Sequence, residues 1–306
     1  MVLETIHSRD DLLRLTQEEQ RTLCAEIRQF LVEHVSRTGG HLASNLGIVE
    51  TTVAIETVFD TRRDRLVFDV GHQSYVHKLL TGRKDEFTSL RQKDGLCGFP
   101  KRCESDCDVF GTGHSSTSIS AALGLAVARD LEQKEETIAA VIGDGALSGG
   151  MAYEALNNLS ILRREKKNMI IILNDNKMSI SENVGGMSRY LNDLRSRRSY
   201  SEFKENVENA LNNIPGVGKS VARTLKKSKD SIKQLFIPGM LFENMGITYY
   251  GLVNGHDIYE LIHAINRAKQ HEGPILIHAI TRKGMGYKYA EKNPEKFHGI
   301  GPFDKE

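Results

Sequence analysis

The stretch from Val141 to Ser179, with the apolar run that leads into it, decides the fold. Ile138-Ala139-Ala140-Val141-Ile142 is a short apolar run that breaks into Gly143-Asp144-Gly145. A helical pattern follows from Leu147 to about Leu162, and a second apolar run, Met169-Ile170-Ile171-Ile172-Leu173, breaks into Asn174-Asp175-Asn176. Short apolar runs bounded by Gly, Asp and Asn are the pattern of buried strands. The order is therefore strand, helix, strand. A right-handed crossover makes the two strands parallel and brings both polar ends to one edge of the sheet. Ligands of open α/β sheets bind at that carboxyl edge. The expected architecture is α/β, a mostly parallel sheet of five or so strands with helices on both faces.

The residue types at that edge suit one kind of chemistry. Asp144 is a hard oxygen donor, and Gly143 and Gly145 are expected to let a bulky anion approach the backbone. Asn176 adds a neutral oxygen. A helix starting just after Gly145 would point its N-terminus at the same place, which favours phosphate. One carboxylate, one amide oxygen and a diphosphate suit Mg2+, which takes few protein ligands besides substrate phosphates. Taken alone, Gly-Asp-Gly is an ordinary strand-to-helix turn with Asp144 as a cap. Asn-Asp-Asn closing the next strand shifts the balance towards a cation site.

Composition narrows the class. The 306 residues suffice for one large α/β domain or two smaller ones. With 41 Lys and Arg against 40 Asp and Glu, the net charge of +1 gives no electrostatic case for nucleic acid or a membrane surface. No apolar stretch is long enough to span a bilayer, and Met1-Val2-Leu3-Glu4 does not begin a secretory leader, so a cytoplasmic location is expected. Cys97, Cys103 and Cys107 lie close together with His114 nearby. Their spacing lacks the paired Cys-x-x-Cys knuckles of structural zinc, and free thiols are expected for these and for Cys24.

Several longer runs carry a family resemblance. They are Gly39-Gly40-His41-Leu42-Ala43-Ser44-Asn45-Leu46-Gly47, Asp69-Val70-Gly71-His72-Gln73-Ser74-Tyr75, Gly111-Thr112-Gly113-His114-Ser115-Ser116-Thr117-Ser118 and Asn174-Asp175-Asn176-Lys177-Met178-Ser179-Ile180-Ser181. Together with Gly143-Asp144-Gly145 they resemble the thiamine diphosphate enzymes, and within them the 1-deoxy-D-xylulose-5-phosphate synthase family of transketolase type. The similarity runs over nearly the whole chain and corresponds to the N-terminal, diphosphate-binding domain. It implies thiamine diphosphate and Mg2+ as cofactors, with Asp144, Asn176 and the carbonyl of Met178 on the metal. His72, Gly113, His114, Ser115, Gly145, Ala146, Asn176 and Tyr287 would touch the cofactor. His41 would handle protons near the substrate, and His298 would lie near the reacting centre. Neither Tyr287 nor His298 would be singled out otherwise. The family has no metal at the cysteines, which agrees with free thiols there.

The resemblance further implies decarboxylative condensation of pyruvate with glyceraldehyde 3-phosphate, feeding isoprenoid and thiamine biosynthesis. In the family, a glutamate on a pyrimidine-binding domain activates the cofactor, and that domain and the phosphate-binding arginines lie beyond the segment matching Glu306. The chain is thus expected to need a pyrimidine-domain chain or a C-terminal half, and to act as an oligomer. Two other readings stand beside it: the N-terminal subunit of a split transketolase, and a catalytically silent cofactor-binding homologue.

The remaining sequence gives further expectations. Residues 10–37 have the period of one amphipathic helix, stopped by Gly39-Gly40. His41 and Ser44 are expected in a loop before a helix from Ile48 to Phe59. Leu66 to Val70 reads as a strand, and 93–110 as an irregular surface segment. The loop at Gly111–Ser118 opens a helix to about Leu131, capped by Ser115 or Ser116. The whole chain, 1–306, is expected to be a single domain with a helical or mobile insertion at about 183–236, polar and basic in composition. Ile214-Pro215-Gly216-Val217-Gly218-Lys219-Ser220 inside it resembles a helix-hairpin-helix glycine turn. It is not a phosphate loop, because Asn213 stands where the first glycine belongs. Further on, Ile247–Tyr250 reads as a strand ending at Asn254-Gly255-His256-Asp257, Ile258–Lys269 as a helix capped by Asp257, and Pro274–Ile280 as the last strand. Leu252 and Asn254 depart from the Pro and Asp usual in the family.

Overall fold

The computed structural model describes residues 1–165, 167–196 and 240–305. The apolar runs form a five-stranded sheet: β1 Arg65–Phe68, β2 Ile138–Gly143, β3 Met169–Asp175, β4 Thr248–Asn254 and β5 Pro274–Ile280. Every pairing is parallel, and the order across the sheet is β1-β2-β3-β5-β4. Strands buried on both faces read as continuous apolar runs, as β2 does to Ile142 and β3 to Leu173. Side chains alternate between two cores. Ala139, Val141, Ile170, Ile172, Ile275 and Ile277 face one cluster; Ile138, Ala140, Ile142, Met169, Ile171 and Leu173 face the other.

Helices cover both faces. The first core takes α1 Arg9–Arg14, α2 Gln17–Thr38, α3 Leu42–Leu46, α4 Val49–Val58, α5 Tyr75–Lys78 and, from later in the chain, Ile258–Lys269. The second takes α6 Ser118–Leu131, α7 Gly150–Asn158, α8 Ser160–Arg164, α9 Gly186–Ser196 and α10 Met240–Asn244. Ile258–Lys269 is α11, and its cap is the expected one: Asp257 accepts from the amides of Tyr259 and Glu260. The last is α12, Lys288–Lys292. Among the described residues no helix is long and apolar enough to cross a membrane. The cysteines are free thiols.

Several expectations need correction. The single helix over 10–37 is two, because Thr16 and Glu19 form a capping box that starts α2 afresh. The end of α2 is as expected: Gly39 takes φ +74°, and a Cβ there would lie 2.8 Å from the carbonyl of Ile300. His41 and Ser44 are not in a loop; His41 is the N-cap of α3 and Ser44 lies within it. Strand β1 ends at Phe68, since Val70 turns to φ +58°. The register of β4 shifts between Tyr250 and Val253, around the departing residue Leu252. The expected insertion is described only as far as residue 196, where it includes α9; the rest, with residues 214–220, lies outside the described residues.

The segment 93–110 has no helix or strand but is not merely superficial. Buried charges of α5 and the turn after it hold it. His77 bridges Glu56 (2.6 Å) and Asp108 (3.0 Å), Arg83 pairs with Asp108 at 2.7 Å, and Lys78 pairs with Glu104. Asp108 also accepts from the amide of Lys101 at 2.8 Å, and Glu104 from that of Cys97 at 2.8 Å. Asp108 and Lys78 are 3% and 0% exposed, so each depends on its partners for solvation. Asp108→Ala is expected to destabilise the fold by about 3–5 kcal/mol in urea unfolding, with Asp108→Asn costing less. A loss below about 1 kcal/mol for the alanine variant, the size of a surface pair, would contradict the role given to this cluster.

Candidate active site

The register of the central strands sets the site. Gly143 pairs with Asn174, and the Asp144 amide donates to the Asn174 carbonyl at 3.2 Å. Asp144 and Asn176 therefore leave the sheet at the same carboxyl edge. Beyond Asn176 the chain doubles back: Met178 and Glu182 form an antiparallel bridge, and the Asn183 amide donates to the Lys177 carbonyl. That return places the Asn183 side chain on Asp144, with Nδ2 donating to Oδ2 at 2.8 Å. Asn176 Oδ1 accepts from the Met178 amide at 3.0 Å, which folds the turn so that both donors stay on one loop.

Asp144 is 4% exposed. Burial and the neighbouring Asp175 carboxyl raise its pKa well above the usual range. Asp175 goes the other way. Burial alone would raise it, but His278 (Nε2 at 2.8 Å) and Arg195 hold it low. His278 in turn meets the Tyr249 hydroxyl at 2.8 Å.

Gly145 also makes room for the returning loop: a Cβ there would lie 2.6 Å from Ser179 Cβ and 3.2 Å from Asn183 Oδ1. The single helix expected from Leu147 to about Leu162 starts later and is divided into α7 and α8. A 3-10 turn, Ala146–Ser148, intervenes, and α7 begins at Gly150.

The loop before α6 lies beside the same turn. Ser116 Oγ donates to the Ala146 carbonyl at 2.7 Å. The caps expected from Ser115 or Ser116 are absent. Instead Asp69, the residue after β1, accepts from the amides of Ser116 (2.8 Å) and Ser118 (3.0 Å). Gly113, His114 and Ser115 are exposed along this loop.

Three imidazoles gather nearby. Ring centroids of His41 and His72 are 5.5 Å apart, His41 and His298 5.7 Å, and His72 and His298 5.2 Å. His298 arrives because residues 40 and 300 exchange backbone hydrogen bonds and the Ala43 amide donates to the Phe297 carbonyl. Ser44 Oγ lies 3.3 Å from His298 Nδ1. Burial pushes the His41 pKa down to about 4, with His298, Arg91 and Lys283 adding to it. Burial, then His41 and His298, takes His72 to about 3, and burial with Lys283 takes His298 to about 4. Tyr287 stands apart: its ring packs on Tyr289, Phe297 and Phe303, and its hydroxyl donates to the Lys305 carbonyl at 3.3 Å.

Residues not singled out in the sequence join the two halves. Lys283 is 5% exposed and donates to the Ser179 carbonyl. Burial lowers its pKa to about 8 against the opposing pull of Asp144. Gln73 accepts from Asn174 Nδ2 at 2.6 Å, tying the His72 loop to the end of β3. A lysine after a strand and a glutamine beside a histidine carry no pattern of their own, so only the fold reveals them.

The donor set fits a hard cation and an anionic cofactor. Asp144 Oδ1 and His72 Nδ1 are buried with no hydrogen-bond partner among the described residues. The candidate donors are all oxygens, and no cluster of three His, Cys, Asp or Glu among the described residues offers a zinc-type site.

Solved structures define the class. Transketolase from Campylobacter jejuni matches with a TM-score of 0.69 over 94% of this chain and 41% of that one, at 21% identity. Transketolase from Leishmania mexicana matches at 0.63 over 92% and 39%, also at 21% identity. The fold is thus the thiamine diphosphate-binding α/β fold found in transketolases.

The sequence comparisons are narrower. A family model described as 1-deoxy-D-xylulose-5-phosphate synthase matches residues 3–281. Proteins of that name from Lachnoclostridium phytofermentans and Clostridium kluyveri are 57% and 55% identical over 303 residues, 99% of this chain and 48% of each relative. The one from Caldanaerobacter subterraneus is 56% identical over 305 residues, 100% of this chain and 49% of the relative. The chain belongs to the 1-deoxy-D-xylulose-5-phosphate synthase family and corresponds to its N-terminal region. It spans about half the length of the curated relatives it matches.

The histidine cluster has a pH signature. All three rings titrate below the value of about 6.5 expected in the unfolded chain. As pH falls from about 6.5 towards 4 the unfolded state takes up protons that the folded state refuses, so stability falls. Between pH 7 and 5 each ring accounts for roughly 1.8 kcal/mol of that loss, so the His41→Gln/His72→Gln/His298→Gln variant should lose about 5 kcal/mol less than the wild type in chemical unfolding. Equal losses would show that the three rings titrate normally.

Proposed function

We propose that this chain is the diphosphate-binding part of a 1-deoxy-D-xylulose-5-phosphate synthase, holding thiamine diphosphate through Mg2+ for the condensation of pyruvate with glyceraldehyde 3-phosphate. The observation that carries the proposal is the buried, unpartnered Asp144 Oδ1 just past the end of β2, held by Asn183 against the loop that carries Asn176 and Met178. Asp144 Oδ1, Asn176 Oδ1 and the Met178 carbonyl would hold the cation, a set of the hardness and low charge that Mg2+ takes with phosphate. When bound, the cofactor supplies a carbanion and an electron sink for the acyl unit.

The chain's own residues supply the surroundings. Gly145, Ala146 and the exposed stretch Gly113–Ser115 border the edge where a diphosphate would lie, and Lys283 adds positive charge beside Asp144. His41, His72 and His298 are neutral at pH 7. A neutral ring can donate from one nitrogen and accept at the other, so each can hold or pass a proton beside a substrate carbonyl. Tyr287 belongs to the cofactor wall only by family likeness. A pyrimidine-binding domain would complete the site, and the domain 1–306 with its insertion would be one half of the working cleft.

Asp144→Ala is expected to weaken Mg2+-dependent thiamine diphosphate binding at least about tenfold in calorimetry, the lower range for lost coordination partners. Equal affinity in variant and wild type would sink the metal assignment. Turnover with pyruvate and glyceraldehyde 3-phosphate should require a pyrimidine-domain chain in the assay; full turnover by this chain alone would refute the shared cleft.

A further inference from the structure

Asn45 has no role in the chemistry above, yet from within α3 it touches the main chain of both His41, at the start of that helix, and His72. Its side chain is 0% exposed. Nδ2 donates to the carbonyl of His41 at 2.7 Å and to that of His72 at 2.7 Å, and Oδ1 accepts from the Tyr75 amide at 2.9 Å. Both amide hydrogens are used, and only one orientation of the amide satisfies two carbonyls and one N–H. Tyr75 closes the circuit: its hydroxyl accepts from the His41 amide at 3.2 Å and lies 3.4 Å from His41 Nδ1. With that hydroxyl donating to Nδ1, the ring proton of His41 sits on Nε2.

The His72 loop needs such a restraint. Val70 and Gly71 take φ of +58° and +89°, and a β-branched residue at positive φ is held against its own preference. Asn45 grips the carbonyl of the next residue. We propose that Asn45 is a positioning residue that sets the mutual placement of His41 and His72 through their main chains, with Tyr75 fixing the ring of His41. The proposal rests on the reading that these histidines belong to the site, but it concerns their geometry and can fail separately.

The test is NMR of the full chain labelled at histidine, read at pH 7. Single His→Gln variants assign the rings, and long-range 1H–15N couplings report the tautomers. Asn45→Asp keeps the shape but turns two donors into acceptors facing carbonyls. It should displace the ring resonances of His41 and His72 while His278 and His271 stay in place. Tyr75→Phe, which keeps the packing, should change the His41 tautomer and leave His72 unmoved. A folded Asn45→Asp protein with His41 and His72 unchanged would overturn the proposal. If that variant does not fold, an unaltered His41 ring in Tyr75→Phe overturns it instead. Failure of the wild type to bind thiamine diphosphate would remove the functional reading and leave the ring shifts standing.

Discussion

Two buried carboxyl groups, Asp144 and Asp175, leave neighbouring parallel strands on the same heading and perturb one another's protonation. Like charges placed so close in a low dielectric cannot both persist without compensation. The surroundings divide the pair. Asp175 receives Arg195 from α9 and His278 from β5, and stays ionised. Asp144 has no ion pair among the described residues; one oxygen takes an amide hydrogen from Asn183 and the other is bare. The difference between the two makes one a structural anion and the other a group that answers to a proton or a cation. The return loop 177–183, the start of the insertion and the buried Lys283 are all arranged around that asymmetry.

The three histidines obey a second constraint. Burial opposes protonation of each ring, and Lys283 adds a positive charge facing all three. They come from residues 41, 72 and 298, and the sheet does not carry them. Two backbone bridges, at Gly40–Ile300 and Ala43–Phe297, bring these distant stretches together. The site is thus built half by strand register and half by the pairing of residues 297–300 with the start of α3.

Much of this was legible in the sequence for a local reason. Strands β2 and β3 begin as unbroken apolar runs closed by polar residues, β5 is apolar apart from His278, and the Asp257 cap follows from its position before a periodic helix. Apart from one local break, what was missed depends on distant partners. The break at Thr16 was masked by a continuous apolar period, although the Thr-x-x-Glu pattern marks it. Capping of α6 by Asp69 spans 47 residues, and the Asn183 contact to Asp144 spans 39. The grouping of His41, His72 and His298 came from family likeness alone; no periodicity joins them. Gln73 and Lys283 became visible only with the strand order, because their partners lie at or just beyond the end of a different strand, β3.

The grip of Asn45 on carbonyl oxygens has a consequence for how such a pocket can change. Every residue type presents the same carbonyl, so the scaffold is indifferent to what side chain stands at positions 41 and 72. Chemistry and frame are therefore uncoupled. An imidazole can be exchanged for another group by a single codon change without loosening the loops, whereas replacing the amide disturbs both at once. A lineage drifting towards new substrates would be free to vary the rings and bound to keep the clamp.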